Sequence, residues 1–137
     1  MLPNIKDKTS KGYRKLILYQ KSKELVLLIY KLTKDFPKEE QFVTIPQIRR
    51  ATLSIVANLV EGYSKNSRKE FIRFLDISIG SSTELEVFLE ISYELGYIND
   101  KNFVIIDNLH EEVRKLLYSY QWSLRQSQRV EESKSVS

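Results

Sequence analysis

A helical apolar repeat that runs without a break through residues 67–95 is the feature that most constrains this chain. It opens at Ser67, where Ser67-x-x-Glu70 forms a capping box, and apolar side chains then recur every three or four residues as far as Leu95. Gly96 follows and suits a left-handed C-terminal cap. A helix of this length must bury its apolar side against other elements, so the repeat predicts a helical domain.

Sparse turn residues extend the prediction to the rest of the chain. Only four glycines and three prolines occur in 137 residues, whereas strands would need a turn about every 8–12 residues. We therefore expect three further helices, at about 16–35, 44–62 and 99–125, with caps at Thr44 and Asn99. Short connections would make sequential helices antiparallel, which predicts an all-α, up-down-up-down four-helix bundle.

The ends of the chain differ from its middle. Residues 1–14 are predicted to form a basic, partly disordered arm, 15–126 the bundle, and 127–137 a disordered tail because this last segment has little apolar content. No apolar run approaches the roughly 18 residues of a membrane span, and no secretion signal is recognisable. The chain also has no cysteine. We expect a cytoplasmic protein with no membrane association and no disulfides.

Charge is distributed unevenly, although the net charge is only +4. Residues 45–75 carry six basic and two acidic side chains, whereas 76–112 carry one basic and nine acidic side chains. The basic side chains from the second and third helices are candidates for nucleic-acid binding: Lys65, Arg68, Lys69, Arg73 and Arg50. The alternative is that they are the ordinary solvated start of a helix.

The third helix has more apolar surface than one bundle seam requires. A second stripe includes Phe74, Phe88 and Ile91, which are candidates for a subunit interface. The alternative is a generous core inside a single chain. Serines on the first seam of this helix indicate close approach of a neighbouring helix rather than catalysis.

The sequence offers little support for an enzyme. The lone histidine, His110, lies on an apolar seam of the fourth helix, where a core role is expected. No second histidine or cysteine could complete a metal site, and no glycine-rich phosphate loop is present. We therefore expect no cofactor and no metal.

The second helix contains the segment QIRRATLSIVANLVEGYSK, which starts at Gln47. On a helical wheel Arg50, Ser54, Asn58 and Glu61 form a polar stripe, whereas Arg49 falls on the apolar side. A guanidinium there must extend to water or pair with a carboxylate, so we expect an ion pair with a glutamate of the first or third helix.

These residues resemble the short bacterial "four helix bundle protein" family, which includes proteins encoded within intervening sequences of 23S ribosomal RNA genes. The resemblance runs from about Leu18 to Leu117. The motif residues in this chain are Arg49, Arg50, Ala51, Ser54, Asn58, Glu61 and Gly62, followed by Gly80, Ser81, Glu84, Leu85 and Glu86. Tyr19-Gln20 stands where the family more often has Trp-Gln.

The resemblance implies a ring-shaped homo-oligomer, typically a pentamer. Accessory proteins of diversity-generating retroelements have a similar fold, and they bind reverse transcriptase and nucleic acid through a basic surface. By this resemblance, an ion-pair and hydrogen-bond network joins helices or subunits through Arg49, Ser54, Asn58, Glu61, Glu84 and Glu86.

Two functional classes remain open. One is a nucleic-acid-binding accessory protein, associated with rRNA intervening sequences or a similar element, whose partners would be RNA or DNA and either a reverse transcriptase or a ribosomal component. The other is a structural or protein-interaction scaffold that binds no nucleic acid. The basic segment favours the first class, and the acidic segment and wide apolar arc favour the second.

Overall fold

Four α-helices make up most of the computed structural model, which describes residues 12–136. They are α1 (Ile17–Thr33), α2 (Thr44–Tyr63), α3 (Arg68–Glu94) and α4 (Asp100–Val136). Short 3-10 helices at Gly12–Lys15 and Lys38–Glu40 precede α1 and α2, and the described residues contain no strand. The predicted all-α four-helix fold is confirmed.

Each helix packs against two neighbours in the order α1, α2, α3, α4 and back to α1. The most extensive of these contacts joins α2 and α3. Connections of ten, four and five residues separate the helices, so the first is longer than expected. This arrangement agrees with the up-down-up-down order.

The core lies along the bundle axis and is built from the apolar seam of every helix. Fully enclosed side chains include Leu25 from α1, Ile55 from α2, Leu85 from α3 and Leu117 from α4. Small hydroxyl residues on α3 allow α2 to approach closely, as the serine pattern predicted. Ser78 donates a hydrogen bond to the carbonyl of Ile55 at 2.9 Å, and Ser54 and Ser81 share one at 2.8 Å.

Two of the three predicted caps are confirmed. Ser67 accepts a hydrogen bond from the backbone N–H of Glu70, and the Asn99 side chain accepts one from the N–H of Asn102. Gly96 has a φ of 81°, as expected for a left-handed turn after α3.

The capping box at Thr44 is wrong. Val43 is the N-cap residue and makes no side-chain cap, while the Thr44 hydroxyl donates to the carboxylate of Glu40. Glu40 also accepts a hydrogen bond from the Tyr97 hydroxyl at 2.9 Å, which ties the α1–α2 connection to the α3–α4 connection. These two hydrogen bonds hold the pKa of the Glu40 carboxyl below its ordinary value, and the bond from Thr44 has the larger effect.

The two chain ends depart from the predicted boundaries. The arm expected at 1–14 lies mostly outside the described residues, but Gly12–Lys15 forms a 3-10 helix. α4 continues to Val136, so the disordered tail expected at 127–137 is helical through 136. No glycine or proline interrupts the chain after Asp100, and Arg68 of α3 forms an ion pair with Glu131. A contact with another helix thus favours helix where composition predicted disorder.

Candidate functional site

Basic side chains from three helices and the first 3-10 helix meet at one end of the bundle. This basic end comprises the described residues 12–15, 61–76 and 120–134, which carry nine basic and five acidic side chains. Tyr63 at the end of α2 contacts the ring of Tyr13, with centroids 6.4 Å apart, and the ring of Phe71 in α3. The ring of Tyr120 of α4 also packs against Phe71. Aromatic packing therefore holds the charged segments together.

The four predicted patch residues of the α2–α3 turn do lie together, but three of them form ion pairs. Lys65 contacts Glu61 at 3.0 Å, Arg73 contacts Glu70 at 3.1 Å, and Arg68 pairs with Glu131 of α4. The structure shows no ion pair for Lys69 with any described residue. All these pairs are solvent-exposed, so they are weak and can exchange with other anions.

A cleft of about 620 Å³ opens between this turn and the end of α4. We call it the basic cleft. Lys65, Arg68 and Lys69 line one wall, and the opposite wall consists of Gln128, Glu131 and Glu132. Two acidic side chains therefore face the cations that the sequence identified for binding.

Sequence reasoning missed the contribution of α4 to the basic end. Arg125 lies 3.5 Å from Asp76 of α3, and Arg129 follows one turn later on the same helix. Arg129 was overlooked because residues 127–137 were expected to be disordered, whereas Arg125 lay inside the predicted helix but its partner on α3 could not be read from the sequence. A glycine- and proline-free sequence from Asp100 onward was the available indication that the helix could continue.

Arg50 lies apart from the α2–α3 turn, near the other end of α2. Its guanidinium pairs with Glu84 of α3 and donates a hydrogen bond to Gln47 at 3.0 Å. This ion pair links α2 to α3 within one chain. Arg50 is therefore not part of the same patch as Lys65 and Lys69.

The ion pair expected for Arg49 is wrong, because its guanidinium stacks 4.4 Å from the centre of the Tyr30 ring instead. Its Nε also donates a hydrogen bond to the Thr33 hydroxyl at 3.0 Å. The structure shows no carboxylate paired with Arg49 among residues 12–136. The face of the Tyr30 ring and the hydroxyl of Thr33 therefore accommodate the positive charge of Arg49 on the apolar side of α2.

Apart from the Ser54–Ser81 hydrogen bond between α2 and α3, the remaining network candidates form local contacts rather than one connected network. Asn58 donates hydrogen bonds to the backbone carbonyl and hydroxyl of Ser54, at 2.9 and 3.1 Å. Glu61 pairs with Lys65 one turn later. Glu86 is exposed on α3, and its charge helps to raise the pKa of Arg114, after the larger effect of Glu111.

An open groove of about 860 Å³ runs beside Arg49, between the end of α1, the α1–α2 connection and α2. Its apolar lining includes Tyr30, Phe36, Phe42, Ile45 and Leu53. Its charged lining consists of Lys34, Lys38, Arg49 and Arg50, with no acidic residue. Phe42 is 86% exposed at its rim. The groove is both apolar and cationic.

The three interface candidates on α3 differ in exposure. Phe88 is half-buried and packs against the core, and Phe74 is half-buried beneath the cations of Lys65 and Arg73. Ile91 is 48% exposed. Ile91 forms an exposed apolar stripe on α3 together with Ile77, Val87 and Leu95.

His110 occupies the core, as its place on the apolar seam predicted. It is 2% exposed, and its Nε2 lies 2.8 Å from the carbonyl oxygen of Ser82 and 3.1 Å from the Ser82 hydroxyl. Because a carbonyl oxygen only accepts, Nε2 carries the proton in this contact. Within residues 12–136 no group of three or more histidine or acidic side chains could hold a metal ion.

No helix in the described part of the chain is long and apolar enough to cross a bilayer.

Comparison with known proteins gives a family and similar solved structures. The chain is similar to a crystal structure described as a protein of unknown function from the S23 ribosomal protein family of Bacteroides thetaiotaomicron VPI-5482. The two share 34% identity and a TM-score of 0.71, over 77% of this chain and 95% of that one. The search of curated proteins gives no match. The family model for the 23S rRNA-intervening sequence protein matches residues 14–119, so the chain belongs to that family.

Proposed function

We propose that the protein is a non-enzymatic homo-oligomer that binds RNA or DNA weakly through its basic end, as an accessory protein of an rRNA intervening sequence or a similar element. The observation that carries this proposal is the meeting of nine basic side chains from separate segments at the basic end, three of which line the basic cleft. The name of the family supports ribosomal RNA as the first nucleic acid to test. A reverse transcriptase or ribosomal component as partner stays a prediction, as does the relation to retroelement accessory proteins.

The mode of binding follows from the chemistry of the basic end. Lysine and arginine side chains on the helical surface can contact phosphates, but among residues 12–136 no element is arranged to read base edges. Binding should therefore be weak for one chain and have little sequence preference. Repetition of the basic end in an oligomer would raise the affinity for a long polyanion.

Salt dependence tests this proposal. We expect log affinity for a fluorescein-labelled single-stranded RNA to fall linearly with log salt, by about 0.7 for each phosphate contact. A Lys65→Ala/Arg68→Ala/Lys69→Ala variant should bind more weakly and give a shallower slope, because it lacks three cations of the basic cleft. Fluorescence anisotropy between low and physiological salt measures both quantities.

A matched control separates the effect of these three positions on RNA binding from the effect of total charge. The Lys23→Ala/Lys31→Ala/Lys101→Ala variant removes the same charge from exposed positions outside the basic end. It should keep the wild-type slope. Equal slopes in the two triple variants, with the oligomeric state unchanged, would contradict binding at the basic end.

The oligomer is proposed from the exposed apolar stripe of α3 and the groove beside α2. Ile77, Val87, Ile91 and Leu95 are 40–58% exposed, and Leu53 of α2 is 45% exposed. Arg50, which also lines the groove, forms an ion pair with Glu84 of α3. The stripe lies on α3, and the groove lies beside the adjacent helix α2. One partner subunit could therefore cover both surfaces along the same side of the bundle. The family resemblance described above implies a pentamer, which stays the expected stoichiometry.

Replacement of Ile91 by glutamate should dissociate this oligomer, because a charge would enter a buried apolar contact. Ile91 is a better test position than Phe88, whose packing against the core would confuse dissociation with unfolding. Ile105→Glu on α4 is the control, since Ile105 is 47% exposed and Ile91 is 48% exposed. Light scattering should give an oligomeric mass for wild type and control, and the mass of one chain for Ile91→Glu. A single-chain mass for wild type at high micromolar concentration would refute assembly.

A scaffold that binds no nucleic acid is the second candidate. It is favoured by the ion pairing of Lys65, Arg68 and Arg73 and by the acidic wall of the basic cleft. Under this reading the wild-type oligomer would retain no RNA or DNA at physiological salt in a gel-shift titration. That result would replace the first proposal with the second.

A further inference from the structure

We propose that the last turns of α4 act as a built-in competitor for the phosphates of the bound nucleic acid. These turns, residues 127–134, are called the α4 extension. The inference rests on the proposed function and adds a regulation of the same site. In the free protein the α4 extension places carboxylates against the cations of the basic cleft, and a nucleic acid must displace them.

The first observation is the ion pair between Glu131 and Arg68. Glu131 contacts the guanidinium of Arg68 across the basic cleft, and Glu132 lines the same wall. Carboxylate and phosphate oxygens use the same guanidinium donors, so the two cannot occupy Arg68 in the same way at once. Glu131 therefore holds the position that a phosphate would take.

The second observation is that the α4 extension lies beyond the core. Gln121 of α4 is buried, and no side chain from 122 through 134, the last one described, is buried. The side chains of Arg68 and Glu131 are 43% and 64% exposed. Since an exposed ion pair contributes little and no buried apolar side chain anchors the segment, its release requires little free energy.

The α4 extension also carries Arg129 and Lys134, so removing it whole would delete cations together with the competing acids. Glutamine substitution avoids this difficulty. It keeps the size and helix propensity of the side chain and removes only the charge. The variant Glu131→Gln/Glu132→Gln therefore tests competition alone.

We expect Glu131→Gln/Glu132→Gln to bind labelled single-stranded RNA about threefold or more tightly than wild type at low salt, with the gain shrinking as salt rises. The control Glu90→Gln/Glu94→Gln removes the same charge from exposed positions on the distant half of α3. It should stay close to wild type. Circular dichroism melts verify that all three proteins are folded.

Hydrogen exchange gives an independent measurement. If RNA displaces the α4 extension, amide exchange in residues 127–134 should rise when RNA is added. A fall in exchange there would show that the α4 extension stays docked on the RNA-bound protein, and would overturn the inference.

The outcomes distinguish the two proposals. Binding that depends on Lys65, Arg68 and Lys69, but is equal in the two glutamine variants, overturns the competitor and leaves the proposed function standing. Tighter binding by Glu131→Gln/Glu132→Gln than by wild type at low salt, with Glu90→Gln/Glu94→Gln close to wild type, supports the competitor. Absence of binding by both proteins overturns both proposals.

Discussion

Replacement of Gly62 by alanine should lower the free energy of unfolding by about 1–3 kcal/mol. Gly62 is buried in the last turn of α2, where a Cβ would lie 2.8 Å from the Cβ of Phe74 and 2.9 Å from the Cδ1 of Phe71. The first of these atoms is attached to the α3 backbone, so relief of the contact requires the helices to move apart. That cost should exceed the gain in helix propensity that alanine brings.

Gly80→Ala is the matched control, and its expected effect has the opposite sign. A Cβ at Gly80 meets nothing within 4 Å, so the change should raise stability by about 0.5–1 kcal/mol through helix propensity. Urea denaturation should compare both variants in the Ile91→Glu background, which removes the proposed subunit contact. Equal effects of the two substitutions would show that α2 and α3 are not closely packed at Gly62.

Replacement of His110 by alanine should lower the free energy of unfolding by about 2–4 kcal/mol. The side chain is 2% exposed, so its loss leaves a cavity in the core. The Ser82 hydroxyl would also lose a partner at 3.1 Å in a site that water does not reach. Chemical denaturation measures the change.

Asn108→Ala provides the comparison, because Asn108 is exposed on the same helix two residues earlier. Its effect should stay within about 0.5 kcal/mol. RNA binding by folded His110→Ala should match wild type, since the residue lies in the core. A neutral effect on stability would place His110 outside the core, and loss of RNA binding in the folded variant would give it a functional role.

Local patterns allowed the fold to be predicted well, because caps and periodicity depend on neighbours within a few residues. Ser67 and Asn99 behave as their sequence contexts indicate. Thr44 does not, since Glu40 competes for its hydroxyl and Gln47 accepts a hydrogen bond from Arg50. A capping box can be recognised in sequence, but a competing partner depends on how the preceding connection folds.

The candidate sites were predicted less completely because their partners come from other helices. A helical wheel placed Arg49 on the apolar side of α2, yet it could not reveal the Tyr30 ring that stacks on the guanidinium. The same wheel put Phe88 on an outer stripe, although a ring of that size reaches the core from an intermediate position. Likewise, composition alone could not reveal that Glu131 forms an ion pair with Arg68.

The close contact between α2 and α3 also bears on how the chain folds. Four residues join these helices, whereas α1 and α4 are separated along the chain by the whole of α2 and α3. The entropic cost of closing a loop rises with the logarithm of its length, and contacts between sequence neighbours form faster than distant ones. The α2–α3 hairpin therefore has the smallest closure entropy to overcome and the largest contact to gain. On this basis we expect the bundle to assemble from the middle of the chain outward, with the pairing of α1 and α4 as the last step.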